Sequence, residues 1–188
     1  MFISFCTVPL ILQHVKLLQP SSGEVIMVLF AEEDVPDIPS LIEALNSHDI
    51  TFFGGIFPGL IYGNQSVKKG CILKKFSTLI PPFFVVGIAG TTFKMPAPAA
   101  IASIEKGTAI VLLDGLAPNI YHFLEKLNDL LGEKCNFIGG GAGSISLEQQ
   151  PCVFSNQGFD VNAAVVCIVD KQIALPVRFF LTINSLKK

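Results

Sequence analysis

The stretch TAIVLLDGLAPNIYHFLEKLNDLLGEKCNFIGGGAGS, residues 108–144, carries the clearest structural signals in the chain. It opens on an apolar run, Thr108–Leu113, that is typical of a buried strand. From Pro118 to Leu131 apolar residues recur about every 3.6 positions, and Gly132 follows directly, so this segment is predicted to be a helix. Cys135–Ile138 predicts a short strand that runs into a glycine run. This order predicts a helical crossover in an α/β protein.

Upstream of this stretch, Val25–Ala31 is an unbroken apolar run that predicts a central strand with its acidic end at the surface. Asp37 is placed to cap the helix that follows. Ile50–Phe53 predicts a further strand, which Gly54-Gly55 is expected to end. No repeat of fixed period is visible along the chain.

Two hairpins are predicted from closely spaced strand signals. Val67–Phe76 and Phe83–Gly90 are joined by Pro81-Pro82, which favours antiparallel pairing. Pro151–Ser155 and Phe159–Val169 flank a short connection that ends in Gly, which predicts a hairpin with a long second strand.

The fold class is therefore predicted as α/β, with a mixed, largely antiparallel-containing β-sheet layered with α-helices. Residues 1–23 are expected to form an N-terminal helix and turn that lead into the domain. Residues 24–170 are expected to form the α/β domain itself, and residues 171–188 a divergent C-terminal tail.

The composition excludes several classes of protein. The chain has 188 residues, of which 51% are hydrophobic and 15% charged. Its 13 Lys and Arg against 15 Asp and Glu lack the basic excess of a nucleic-acid-binding protein. No apolar run reaches the roughly 18 residues of a membrane span, and Met1–Leu12 lacks the basic start of a signal peptide. We expect no nucleic-acid partner, no membrane span and a cytoplasmic location.

Cysteines and histidines give no sign of a metal or disulfide framework. The five cysteines and three histidines are spread widely along the chain: Cys6, Cys71, Cys135, Cys152 and Cys167, with His14, His48 and His122. An odd number of distant cysteines in apolar segments is typical of a reducing compartment. No zinc-ligand spacing is present, so no metal and no cofactor are predicted.

The glycine run is the stretch most suggestive of chemistry, because amides of residues without a Cβ can cradle an anion. It lacks the Lys of a phosphate-binding P-loop, and Ser144 stands where a dinucleotide fingerprint needs Gly. The candidate ligand-binding residues are Gly139, Gly140, Gly141, Ala142, Gly143 and Ser144, with Asp114, Gly54 and Gly55 at other strand ends. A structural interpretation stays open: the glycines would form a tight strand exit, and Asp114 would cap a turn.

Four segments, in this order, resemble the N-terminal half of FIST domain proteins (F-box and intracellular signal transduction): Val28–Ala31, Phe53–Gly59, Leu112–Leu116 and Phe137–Gly143. The resemblance runs from about Leu10 to Asp170. It implies an intracellular sensory or ligand-binding module for small molecules such as amino acids, with no established enzymatic chemistry.

The chain departs from the FIST pattern in two places. Many members carry a Gly-x-x-Thr-x-Gly type turn, where this chain has Gly54–Gly59 without the Thr. Relatives continue into a C-terminal FIST domain, whereas the sequence of this chain at Leu175–Phe180 differs from the segment that leads into that domain. The resemblance therefore predicts a chain truncated before that domain.

The leading hypothesis is a non-catalytic sensory module that binds a small polar metabolite such as an amino acid. The alternative is a protein-interaction scaffold whose apolar face docks a partner or the missing C-terminal domain. A third hypothesis is an enzyme that acts on a phosphorylated or nucleotide substrate through Gly139–Ser144. No Gly-x-Ser-x-Gly motif surrounds Ser144 and no base is assignable, so no catalytic residue is predicted.

Overall fold

The computed structural model describes residues 1–96 and 98–170. The predicted tail, residues 171–188, lies outside the described residues. The strands of the described residues are β1 (Phe2–Ile3), β2 (Glu24–Ala31), β3 (Phe52–Phe57), β4 (Leu60–Tyr62), β5 (Gln65–Val67), β6 (Cys71–Ser77), β7 (Phe83–Val85), β8 (Gly107–Asp114), β9 (Cys135–Ala142), β10 (Val153–Ser155), β11 (Gly158–Asp160) and β12 (Ala164–Val169). Its α-helices are α1 (Val8–Leu17), α2 (Ile38–Asn46) and α3 (Ile120–Leu131).

The predicted α/β class is confirmed: ten of the described strands lie in two facing sheets, and β4 and β5 pair in a separate two-stranded sheet. The first sheet has the order β1-β6-β2-β3-β10-β11 and the second has the order β7-β12-β8-β9. One buried cluster fills the space between the sheets and includes Met27 and Phe53 of the first with Ile110 and Val165 of the second. Helices α1 and α2 cover the outer face of the first sheet, and α3 covers the second. The molecule thus has four layers: helix, sheet, sheet and helix.

The helices form where the sequence predicts them. Asp37 caps α2, accepting a hydrogen bond from the Ser40 amide at 2.9 Å. One face of α3, with Phe123, Leu127 and Leu131, is buried. Gly132, with φ +55°, follows that helix directly. No helix in the described ranges is both long enough and apolar enough to cross a membrane.

The two sheets repeat one topology. The order β1-β6-β2-β3 in the first corresponds to β7-β12-β8-β9 in the second, with antiparallel, antiparallel and parallel pairs in each. A helix, α2 or α3, connects the parallel pair, and Val28 pairs with Gly54 as Val111 pairs with Gly139. The chain therefore contains two structurally equivalent halves, β1–β6 and β7–β12. The sequence shows no fixed period because equivalent connections differ, with α1 matched only by the 3-10 turn Ala99–Ser103.

The structure corrects one predicted strand pairing and the length of one predicted strand. The predicted antiparallel pairing of Val67–Phe76 with Phe83–Gly90 is wrong, because β6 and β7 lie in different sheets and the link between them joins the two halves. The β10–β11 hairpin is confirmed. The long second strand Phe159–Val169 is wrong, since the chain leaves the first sheet after β11 and turns at Asn162, with φ +50°, before β12 joins the second sheet.

Candidate functional site

The carboxyl ends of the two parallel strand pairs meet between the halves. A Cβ built on Gly55 would lie 3.3 Å from the Cβ of Ala142. The Gly143 amide donates to the Ile56 carbonyl at 2.8 Å, and Asp114 pairs with Ala142 across β8 and β9. The structure therefore brings the two predicted glycine segments and Asp114 to one place. In α/β proteins this end of the strands is where ligands bind.

The glycines lie inside strands, which corrects the prediction that they end them. Gly54 and Gly55 are buried within β3, and Gly139, Gly140 and Gly141 are half-buried within β9. Glycine within a strand often marks a place where another backbone approaches closely. A glycine in the sequence therefore does not by itself indicate the end of a strand.

Gly54 and Gly139 are required by such a close approach. A Cβ on Gly54 would overlap the Val28 carbonyl oxygen, and one on Gly139, with φ +153°, would overlap the Val111 carbonyl oxygen. These are equivalent positions in the two halves. A Cβ on Gly141 would lie 2.9 Å from the Cα of Gly115, so this glycine too is packed against backbone. These three glycines bring strands together and leave no space beside their Cα atoms for a ligand.

Asp114 is 1% exposed and is held by three other segments. Its Oδ1 accepts from the Leu116 amide at 3.0 Å. Its Oδ2 accepts from the Asn162 amide at 2.8 Å and from Gln149 Nε2 at 3.4 Å. The neighbouring Cys152 thiol has its pKa raised to about 12, first by burial and then by the negative charge of Asp114. This carboxylate fixes the turn after β8, as the structural interpretation predicts, and ties β12 and the β9–β10 loop to it.

The loop after β9, residues 143–150, is the accessible part of the site. Ser144 is half-buried, and its Oγ lies 3.0 Å from the Oγ of Ser146. The Ile145 amide donates to the Oε2 of Glu32 at 3.0 Å, and Glu32 follows β2 in the other half of the molecule. Leu147 has φ +59°, a left-handed conformation uncommon for leucine. The exposed loop thus binds a carboxylate through a backbone amide.

Glu32 is not among the site residues that the sequence predicts, because the acidic run after β2 indicates only the polar end of a strand. The contact with Ile145 joins residues 113 positions apart, and no local pattern encodes it.

Other polar groups of the described chain form no such site. The His122 Nε2 lies 3.0 Å from the Thr91 carbonyl oxygen at the exposed side of α3. Within residues 1–96 and 98–170, no three His, Cys, Asp or Glu side chains are grouped to hold a metal ion. An open depression of about 380 Å³ is lined by Glu105 and residues 129–134, at the opposite end of β9 from the glycines.

Comparison with protein-family models gives a match over most of the chain. The family model of the FIST N domain matches residues 25–184, most of the chain. No curated protein and no solved structure is significantly similar to it.

Proposed function

The chain belongs to the FIST N domain family of signal-transduction sensory domains, and on this premise we propose that it binds a small polar metabolite carrying a carboxylate, such as an amino acid. The site is the loop after β9 at the meeting point of the two halves. The Ile145 amide and the hydroxyls of Ser144 and Ser146 contact the ligand, and Gly143 anchors the loop through its amide bond to the Ile56 carbonyl. Asp114, Ala142 and the packed glycines Gly54, Gly55, Gly139, Gly140 and Gly141 hold the strands and the loop in place.

One observation carries the proposal: the exposed Ile145 amide already binds a carboxylate, that of Glu32. A backbone amide that holds one carboxylate offers the same hydrogen bond to another. Glu32 is half-buried at the end of β2, and the ligand carboxylate takes its place on the loop. The hydroxyls of Ser144 and Ser146 stand beside this amide and accept from the ligand ammonium. Exchange of Glu32 for the ligand changes the contact between the halves, which is the signal.

We propose that the module binds without catalysis. The Cys152 thiol, with a pKa of about 12, keeps its proton at neutral pH and is a poor nucleophile. Both carboxylate oxygens of Asp114 already accept hydrogen bonds from backbone and side-chain donors. The five free, buried thiols suit a reducing compartment, and a cytoplasmic location is part of the proposal.

A thermal-shift panel tests this function. Amino acids that bind raise the melting temperature with concentration, whereas their carboxamide analogues, which lack the carboxylate, do not. Glu32→Ala removes the competing carboxylate and is expected to strengthen the response. Glu33→Ala, at the exposed neighbouring position, is the matched control and is expected to respond as the wild type does. A flat response of the wild type and of Glu32→Ala across the panel contradicts the proposal.

A second function is favoured by two apolar side chains on the same loop. Ile145 and Leu147 are 70% and 67% exposed. Large exposed apolar side chains mark protein-interaction surfaces when they cluster. As a scaffold, the chain docks a partner protein or a C-terminal FIST domain through this loop. The double substitution Ile145→Ser, Leu147→Ser is expected to abolish binding of a purified C-terminal FIST domain in calorimetry. Unchanged binding by the double variant contradicts this function.

A further inference from the structure

Strand β9 has an open edge at the side of the second sheet. Among the described residues it pairs with β8 alone, whereas its equivalent β3 pairs with β2 on one side and β10 on the other. The Ala142 carbonyl accepts from Gly115 on the β8 side. Because backbone groups alternate along a strand, the amides and carbonyls of Phe137, Gly139 and Gly141 point to the open edge. The second sheet therefore has no strand in the position that β10 occupies in the first sheet, among the described residues.

In the first sheet, β10, a strand of the second half, fills that position with an aromatic ring. Phe154 lies directly opposite Gly54, and its ring occupies the space that a Cβ of Gly54 would need. The same ring packs 5.8 Å from Phe30 and 6.4 Å from Phe52, measured between centroids. The strand pair thus combines a glycine with an aromatic ring from the covering strand.

The second half exposes the counterpart of this arrangement. Phe52 lies two residues before Gly54 and is 0% exposed, in the core cluster that also contains Phe154. Phe137 lies two residues before Gly139, the equivalent glycine, and is 39% exposed. Proteins protect open strand edges with charges, prolines or bulges, and β9, with the sequence CNFIGGGA, has neither a charge nor a proline. An uncharged edge with unpaired backbone groups and an exposed aromatic ring is suited to pairing with another strand.

We propose that a second copy of this chain covers the edge, with the two β9 strands antiparallel about a twofold axis through Ile138. In this register Phe137 of each copy lies opposite Gly139 of the other, which repeats the pairing of Phe154 with Gly54. A second copy suits the edge because β9 carries both the aromatic ring and the glycine, two positions apart on one face. The two four-stranded sheets become one continuous sheet. This association does not depend on ligand binding.

The register predicts specific neighbours across the axis. Ile138 faces Ile138 of the second copy in a non-hydrogen-bonded pair, with Cα atoms about 4.5 Å apart. The two Phe137 rings are diagonal neighbours, as Phe52 and Phe154 are in the first sheet. Asn136 lies opposite Gly140 of the second copy, so the two Asn136 residues are about 14 Å apart.

Sedimentation equilibrium and light scattering on the full 188-residue chain test the association. The wild type is expected at twice the chain mass of 20.2 kDa. Phe137→Lys is expected to weaken the association by about thirtyfold or more, as for an interface anchor. Tyr121→Lys, at a 76% exposed position on α3, is the control and is expected to remain dimeric.

A cysteine scan tests the register separately and does not require Phe137→Lys to fold. With an added oxidant, Ile138→Cys is expected to form a disulfide-linked dimer, because opposed Cα atoms lie within disulfide range. Asn136→Cys is expected to stay uncrosslinked. A monomeric wild type overturns the proposal. A dimer that survives Phe137→Lys, or that fails to crosslink through residue 138, overturns it as well.

Discussion

Gly54 and Gly139 occupy the same place in the two halves of the molecule. Each lies opposite a valine of the preceding parallel strand, and in each case a Cβ would overlap the carbonyl oxygen of that valine. The glycine run that resembled a ligand cradle is thus first a packing device, used in both halves.

Alanine at either glycine is expected to destabilise the fold. Gly54→Ala and Gly139→Ala must push two strands apart, and each should lower the free energy of unfolding by about 3 kcal/mol or more. Urea denaturation measures the loss. Gly90→Ala is the control, because a Cβ there meets no atom closer than 3.5 Å and the change should be small. Equal stabilities of all three variants would contradict the packing role.

Loss of the Asp114 carboxylate is expected to loosen the three segments that it holds. In Asp114→Asn one carboxylate oxygen becomes an NH2 group, which cannot accept a hydrogen bond from a backbone amide. We therefore expect the free energy of unfolding, measured by denaturant, to fall by about 1–3 kcal/mol. Asp129→Asn, at an exposed position on α3, should be neutral. Asp114→Asn with wild-type stability would show that these hydrogen bonds contribute little.

The buried thiols predict a fall of stability in alkali. Burial raises the pKa of the Cys152 and Cys167 thiols to about 12 each, from an ordinary value of 9.0. The negative charge of Asp114 also raises the pKa of Cys152. Between these values the unfolded chain has lost the thiol protons and the folded chain keeps them. The free energy of unfolding therefore falls as pH rises above 9, by up to about 1.4 kcal/mol per pH unit for each thiol.

Urea denaturation of the wild type and of Cys152→Ala, Cys167→Ala from pH 7.5 to 10.5 measures this slope. The double variant is expected to lose less stability over the alkaline range. Identical slopes would mean that other groups set the alkaline limit.

The parts of the fold that depend on local pattern could be predicted from sequence. Helices α2 and α3 follow from apolar periodicity, with Asp37 before one and Gly132 after the other. The assignment of strands to sheets could not, because the link through Pro81-Pro82 crosses between halves while resembling a hairpin turn.

The candidate site was predictable only in outline. Its glycines and Asp114 follow predicted strands in the sequence, and the fold does bring them together. Whether a glycine ends a strand or lies within one depends on the backbone across from it, such as the Val111 carbonyl. The bond from Ile145 to Glu32 arises from the apposition of the two halves, which no short window of sequence records.

The most direct test of the proposed function is amide chemical shift perturbation in ¹⁵N-labelled protein titrated with the best amino acid from the thermal panel. The account predicts shifts at Ile145 and Ser146, and saturation at lower concentration in Glu32→Ala than in Glu33→Ala. Shifts confined to residues 129–134, at the far end of β9, or no shifts in the loop at saturation, would contradict it.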